Sequence, residues 1–335
     1  MSSSPISTEI DFTRDGKQTG YLRLPHSVNR SAYGWIPFPI ACIRNGVGPV
    51  IFLSAGVHGD EYEGQIALSR LIQDIDPKDV KGRIIILPMA NFPAGMAGTR
   101  VSPIDAVNLN RAFPGDPTGT PTQIIAHYIE TVLMPGTDLH VDIHSGGSSL
   151  FYLPCSMPDW TSNCKMSKER VTELCHLFGA PYQISFDEDQ EGRYISAAAT
   201  RLGIASIGAE LGGGGRLTGA YADIAYWGTL RILRDMGCYT GSLDKAPKLT
   251  GTEVLPVKAA QFAYAMDSGV VEHIVALGDR ISDGQQVALI HHPETPGQAP
   301  TPVFAKQGGF VICLRAMGRV ERGDCLGHWG GESAA

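Results

Sequence analysis

The chain has 335 residues, 43% hydrophobic and 18% charged, with a formal net charge of -7 and no cluster of Lys and Arg. That length accommodates one catalytic domain plus a smaller attachment, and the composition excludes the disordered and fibrous classes. A nucleic-acid binder, whose affinity rests on neutralising phosphates, and a membrane-spanning protein are both disfavoured, so a small molecule is the expected partner.

The polar start MSSSPISTEIDFTRDG lacks the basic and apolar segments of a signal peptide, so a cytoplasmic protein is expected. Seven scattered cysteines, without a C-x-x-C pair, read as reduced thiols rather than a zinc-thiolate site. The first forty or so residues alternate apolar and polar positions and suggest edge strands. The run Val50-Ile51-Phe52-Leu53-Ser54-Ala55-Gly56 is continuously apolar apart from one serine, as in a strand buried on both faces. Residues 61–75 carry Ile66, Leu68, Leu71, Ile72 and Ile75 at helical spacing, and Arg83-Ile84-Ile85-Ile86-Leu87-Pro88 reads as the next buried strand. The alternation continues with helices near 122–133, 168–178, 194–202 and 222–235 and strands at 139–143 and 205–211. This is an α/β domain, its mostly parallel sheet covered by helices on both faces. From about Leu249 short alternating runs between Gly and Asp predict a small all-β attachment, which divides the chain into a catalytic domain at 1–248 and a C-terminal β domain at 249–335 that caps the cleft.

Three segments end an apolar strand with a residue able to hold a metal or a proton. In Gly56-Val57-His58-Gly59-Asp60-Glu61, His58 and Glu61 stand three apart at a strand-to-helix turn, within reach of one ion. In Leu139-His140-Val141-Asp142-Ile143-His144, strand alternation sets Asp142 and His144 on one side. Ala205-Ser206-Ile207-Gly208-Ala209-Glu210-Leu211 brings an acid to the end of a third strand, followed by four glycines. Each has an ordinary reading alone: a chance H-x-x-E, a structural hydrogen bond, a solvated acid. At three strand ends of one doubly wound sheet they point to a site, since the carboxyl ends of the strands are where sites assemble. Two imidazoles and a carboxylate, with a fourth position open to water, form the donor set of a hydrolytic zinc centre.

With Asn108-Leu109-Asn110-Arg111-Ala112-Phe113-Pro114-Gly115 added, these motifs resemble, in order and spacing, the succinylglutamate desuccinylase and aspartoacylase family, which shares its fold with zinc carboxypeptidases. The resemblance implies one zinc ion held by His58, Glu61 and His144, with Glu210 as catalytic acid and base. It also implies Asn110 and Arg111 as a clamp for the substrate's α-carboxylate, a task suited to the planar guanidinium fork. Arg100 stands where the family keeps an arginine that polarises the scissile carbonyl, and Asp142 is expected to accept a hydrogen bond from a ligand imidazole. A homodimer is common among such enzymes, and the sequence leaves the oligomeric state open.

Within the family the chain is most similar to the branch that deacetylates Nα-acetyl-L-2,4-diaminobutyrate in ectoine degradation. Desuccinylase, aspartoacylase and carboxypeptidase activities are the competing enzymatic readings, and a catalytically dead zinc scaffold is the non-enzymatic one; the intact Glu210 speaks against the last. An anionic side chain on the substrate calls for added basic residues, for which Arg193 and Arg216 are candidates, whereas the ammonium of diaminobutyrate prefers an acid. The acids of Phe186-Asp187-Glu188-Asp189-Gln190-Glu191 supply one candidate beside the plainer reading of a solvated loop. The Gly212 to Gly215 run lacks a following G-K-[ST] and reads as a conformationally free active-site loop, not a phosphate cradle. His291-His292 reads as a loop, and His26, His127, His140, His176, His273 and His328 default to surface or structural roles.

Overall fold

The strands that carry the site also build the centre of the molecule. The structure, a computed structural model, describes residues 4–186 and 192–334. Gly82–Leu87, Val50–Ala55, Leu139–His144 and Ala205–Gly213 lie side by side in that order, all parallel, with Ile85 against Phe52, Phe52 against His140 and His140 against Ser206. Trp35–Asn45 and Gly16–Pro25 extend the sheet antiparallel beyond Gly82–Leu87, and of the edge strands expected in the first forty residues only the short Ser7–Thr8 lies at the border. On the other side Leu150–Asp159 runs antiparallel to Ala205–Gly213. Among the described residues fourteen strands join this mixed sheet, its core mostly parallel.

Helices cover both faces, as the alternation of elements predicts. On one, Tyr62–Asp74, Lys168–Phe178 and Gly219–Asp235 bring Leu68, Leu71, Val171, Phe178 and Leu233 onto Ile51, Leu53, Ile84, Val141 and Ile207. On the other, Pro121–Tyr128, a π-helical turn at Ile129–Leu133 and Ile195–Arg201 pack Ile125, Ile129 and Ala198 with Phe38, Phe52 and Ile85. Local chemistry sets the helix ends: Ser167 Oγ accepts from the Arg170 N–H at 3.2 Å, and Gly179, at φ 83°, closes the same helix in the left-handed conformation. No helix among the described residues is long and apolar enough to cross a membrane.

The stretch after Leu249 carries a separate antiparallel sheet, as expected, and also lends strands to the large one. Thr301–Phe304, Gln286–His291, Gly269–His273 and Arg319–Val320 do form their own four-stranded antiparallel sheet, but Glu253–Val257 pairs with Tyr182–Phe186, and Gly309–Arg315 pairs with Leu150–Asp159, inside the large sheet. One expectation needs correction: the glycine run does not form a free loop, because its first two residues lie in the strand. Gly212 and Gly213 finish their strand opposite Tyr152 and Phe151, and a Cβ on Gly213, at φ 132°, would lie 2.2 Å from the Leu150 carbonyl oxygen. Glycine is needed there for close backbone approach.

Leu150–Asp159 itself escaped the sequence reading because Pro154 and Pro158 interrupt its aromatic run, and proline within a run argues against a strand. The structure admits Pro154 where the pairing shifts register, between Tyr152 and Cys155.

Candidate active site

The turn between Val50–Ala55 and Tyr62–Asp74 is held by backbone contacts only glycine permits. Gly56 adopts φ 65°, and a Cβ on Gly59 would lie 2.0 Å from the Ala94 backbone carbon. The Gly59 N–H donates to Thr99 O at 2.9 Å, while Asp60 Oδ2 accepts from the Ser148 N–H at 2.6 Å and so ties this turn to the loop after His144. His58, Glu61 and His144 are all buried.

His58 Nδ1 lies 2.7 Å from Glu61 Oε1, and His144 Nδ1 lies 2.7 Å from Glu61 Oε2. One donor atom from each of the three residues falls within 4.8 Å of the others. The far ring nitrogens fix the tautomers. His58 Nε2 meets Asn108 Oδ1 at 3.1 Å and His144 Nε2 meets Asp142 Oδ2 at 2.5 Å, and since both oxygens only accept, each Nε2 carries the hydrogen. Each Nδ1 then presents a lone pair to a carboxylate that also only accepts. A cation among them satisfies all three groups, so the residues present fit a divalent metal of the kind that His and carboxylate bind.

Burial opposes the charge on Glu61, but the His58 and His144 imidazoles outweigh it and hold this carboxyl well below the usual carboxylate range. Glu210 goes the other way. Burial, and then the charge of Glu61, push its carboxyl well above the ordinary value, and its Oε2 is buried without a hydrogen-bond partner. It stands directly across from His144 in the parallel register. A carboxyl of raised proton affinity beside a metal-ligand set suits general acid and base chemistry.

Arg100, with its side chain 45% exposed, brings a guanidinium nitrogen to 3.6 Å from Glu61 Oε1 and 3.5 Å from His58 Nδ1. Asn110 and Arg111 sit in the short 3-10 turn Leu109–Arg111. Asn110 Oδ1 accepts from the Ile195 N–H at 2.9 Å, and the Arg111 guanidinium lies 4.5 Å from the centre of the Tyr194 ring. His58, Glu61, His144, Glu210, Arg100, Asn110 and Arg111 line one cleft of about 780 Å³, together with Asp142, Tyr152, Met157, Asp159 and, from the C-terminal region, Val257, Ala259, Phe262 and Tyr264.

Residues 47–236 match the model of the succinylglutamate desuccinylase/aspartoacylase catalytic domain. The chain belongs to that family. It is 38% identical over 323 residues to the N-alpha-acetyl-L-2,4-diaminobutyric acid deacetylase of Halomonas elongata, covering 96% of this chain and 94% of the relative. Among solved structures it resembles the product-bound ectoine utilization protein EutE (DoeB) from Ruegeria pomeroyi, with a TM-score of 0.92 and 35% identity over 98% of this chain and 99% of that one. A succinylglutamate desuccinylase/aspartoacylase from Rhodobacter sphaeroides gives a TM-score of 0.90 and 36% identity over 98% of this chain and 100% of that one. As a member of this family of hydrolytic deacylases, the protein is an amidohydrolase.

In this family member Ser54, Ser206 and Asn108 take part although the sequence marked no role for them, and His140 takes the structural role of its two alternatives. Ser54 Oγ donates to Asp142 Oδ1 at 2.6 Å, and His140 bridges Ser54 Oγ and Ser206 Oγ at 2.9 Å each. His140 is fully buried, and burial lowers its pKa to about 4, so it serves as a neutral structural bridge. Strand alternation alone would have put His140 beside Asp142; the partner serines lie on other strands. Asn108 Oδ1, besides meeting His58, accepts from the Asn110 N–H at 2.8 Å and so couples one imidazole to the Asn110-Arg111 turn. Arg216 lies with its guanidinium 5.3 Å from the Phe151 ring centre, and it and Arg193 are not among the residues lining the cleft. The acids at 187–191 lie outside the described residues. His291 pairs with Glu272 at 2.7 Å and His292 with Thr301 at 3.0 Å; among the described residues the His58, Glu61 and His144 group is the one with the geometry to hold a metal.

Proposed function

We propose that this protein is a zinc-dependent deacetylase of Nα-acetyl-L-2,4-diaminobutyrate, releasing acetate and L-2,4-diaminobutyrate in ectoine degradation. The observation that carries the reading is the convergence of His58, Glu61 and His144 beside Glu210 in one cleft. The named activity of the Halomonas elongata relative and the ectoine-utilisation role of the Ruegeria pomeroyi neighbour support the choice of substrate.

Zinc, when bound by His58, Glu61 and His144, supplies Lewis acidity that polarises an amide carbonyl and acidifies water. Asn110 and Arg111 bind the substrate's α-carboxylate, an amide and a guanidinium both being donors to it. Glu210 takes the proton from the attacking water and returns it to the departing nitrogen as the C–N bond breaks, because an amine leaves poorly unless protonated. Arg100 meets the negative charge that develops on the carbonyl oxygen. Asp142 orients His144, and Ser54 orients Asp142. Residues 249–335 act as the unit that caps the cleft, a reading supported by the presence of Val257, Ala259, Phe262 and Tyr264 in its wall. The seven thiols are unpaired, the state that a reducing compartment maintains, which supports a cytoplasmic site of action. A homodimer is the matching assembly to test by sedimentation.

Kinetics on acetyl-diaminobutyrate, N-acetylaspartate and succinylglutamate side by side test the proposal, with and without a chelator and zinc readdition. The expected result is zinc-restored turnover of the first substrate in preference to the others. Turnover of the anionic substrates alone overturns the reading.

A further inference from the structure

We propose that Tyr152 ends the acyl pocket of the cleft and so selects an acetyl group over longer or anionic acyl groups. The inference rests on the deacetylase reading above and names the residue that reads the acyl part of the substrate.

Position along Ala205–Gly213 tells the two ends of the substrate apart. Asn110 Oδ1 accepts from the Ile195 N–H at 2.9 Å, and the helix Ile195–Arg201 turns back into that strand through Leu202 to Ile204. Seven helical residues cover about 10 Å and three steps of strand about the same, so Ile195 and the α-carboxylate clamp stand level with Gly208. Glu210 comes next along the strand, directly across from His144. Gly212, two residues further on, is paired with Tyr152. A substrate held by its α-carboxylate at the clamp and by its amide beside Glu210 therefore points its acyl group towards Gly212 and Tyr152.

That end of the cleft is tightly built and uncharged. The Gly146 N–H donates to Gly212 O at 3.0 Å and draws the loop after His144 against the strand, and a Cβ on Gly146 would lie 2.2 Å from the Leu150 carbonyl oxygen. Gly146, Leu150 and Tyr152 all line the cleft. Tyr152 is buried and backed by two further strands: Cys313 is its partner in the register, and the His328 ring centre lies 5.3 Å from its own. His328 in turn has the Phe262 ring centre 4.7 Å away. A ring packed in this way has no room to swing aside for a longer ligand. Burial also pushes the Tyr152 phenol well above its ordinary pKa, so the group stays neutral and brings no charge to the pocket.

Size and charge act in the same direction. With the scissile carbonyl carbon over Glu210, the Gly212 and Tyr152 pair lies about 6.6 Å further along the strand. An acetyl methyl ends about 1.5 Å past that carbon and leaves space for a contact of about 4 Å with the ring. The far carboxyl carbon of a succinyl group ends about 4 Å past it and leaves too little. Among the described residues lining the cleft the guanidinium groups are Arg100 and Arg111, which act at the carbonyl oxygen and at the α-carboxylate. A succinyl carboxylate would stand instead against neutral side chains with the Glu210 carboxyl close by, and an unpaired charge in such a place opposes binding.

The test compares kcat/KM for the Nα-acetyl, Nα-propionyl and Nα-succinyl derivatives of L-2,4-diaminobutyrate in the wild-type protein and in Tyr152→Phe, Tyr152→Leu and Tyr152→Ala. One methylene too many in a pocket corresponds to about tenfold to two-hundredfold in that constant. We expect the wild-type protein to favour acetyl over propionyl by such a factor and to reject succinyl more strongly. Tyr152→Phe keeps the ring and should keep the preference. Tyr152→Leu and then Tyr152→Ala should bring the acetyl-to-propionyl ratio down towards one; the leucine retains more of the packing around His328 and supplies a folded truncation if the alanine variant is unstable. An unchanged ratio in a folded truncation overturns the proposal, because a merely structural tyrosine would lower all three activities alike. A ratio that falls as far in Tyr152→Phe as in Tyr152→Ala also overturns it, since the hydroxyl and not the ring would then select. Failure of the wild-type protein to cleave acetyl-diaminobutyrate removes the deacetylase reading itself, and the proposal with it; that result is read before any variant is made.

Discussion

The two faces of the four central strands carry different chemistry. On one face Ile51, Leu53, Leu139, Val141, Ile143, Ile207 and Ala209 pack dry against three helices. On the other, the same strands present Ser54, His140, Asp142, His144, Ser206 and Glu210, most of them equally buried. Buried polar groups cost about 1–3 kcal/mol each when left unpaired. Here they form a continuous chain from Ser206 through His140, Ser54 and Asp142 to His144. Glu210 Oε2 breaks the pattern by having no partner. The comparison teaches that one face is apolar throughout, while the other sets a polar row beside its own apolar core of Phe52, Ile85 and Leu87, and the unpartnered Glu210 atom lies in that row.

Three substitutions break or sharpen that contrast. The largest effect is expected from Glu210→Ala, which should cost about 10²–10⁴ in kcat, the usual range for a general acid and base, while the bound metal measured by elemental analysis stays unchanged. Full activity in this variant would remove Glu210 from the mechanism. Next, Leu53→Ala on the dry face should lower unfolding free energy by about 2–5 kcal/mol in denaturant titration, through the cavity it leaves, with kcat/KM of the folded protein retained. A folded but inactive Leu53→Ala protein would show that the two faces are not separable. The smallest change is Asp142→Asn, which keeps the shape but weakens the acceptor behind His144; chelator competition should report about 10–100-fold weaker metal binding. Unaltered metal affinity would reduce Asp142 to a packing role.

Much of the site was legible because it follows local periodicity. The apolar runs at 50–56, 83–88 and 205–211 and the two-residue alternation of Asp142 and His144 are properties of consecutive residues, and so is the three-residue step from His58 to Glu61. The order of these motifs along the chain also pointed to the family that the comparisons establish. Leu150–Asp159 was not legible, because its prolines argue locally against a strand that the sheet nevertheless accepts at a register shift.

The amino-acid sequence alone determined the α/β architecture, the candidate metal ligands and the position of Glu210, since each depends on how neighbouring side chains alternate along one strand or one turn. Tertiary structure decided which groups meet: Ser54 with Asp142, Asn108 with His58, His140 with Ser206, and C-terminal strands paired into the large sheet. These are contacts between residues from about fifty to more than one hundred and fifty positions apart, and no pattern in a single stretch of chain encodes a distance set by the packing of whole strands.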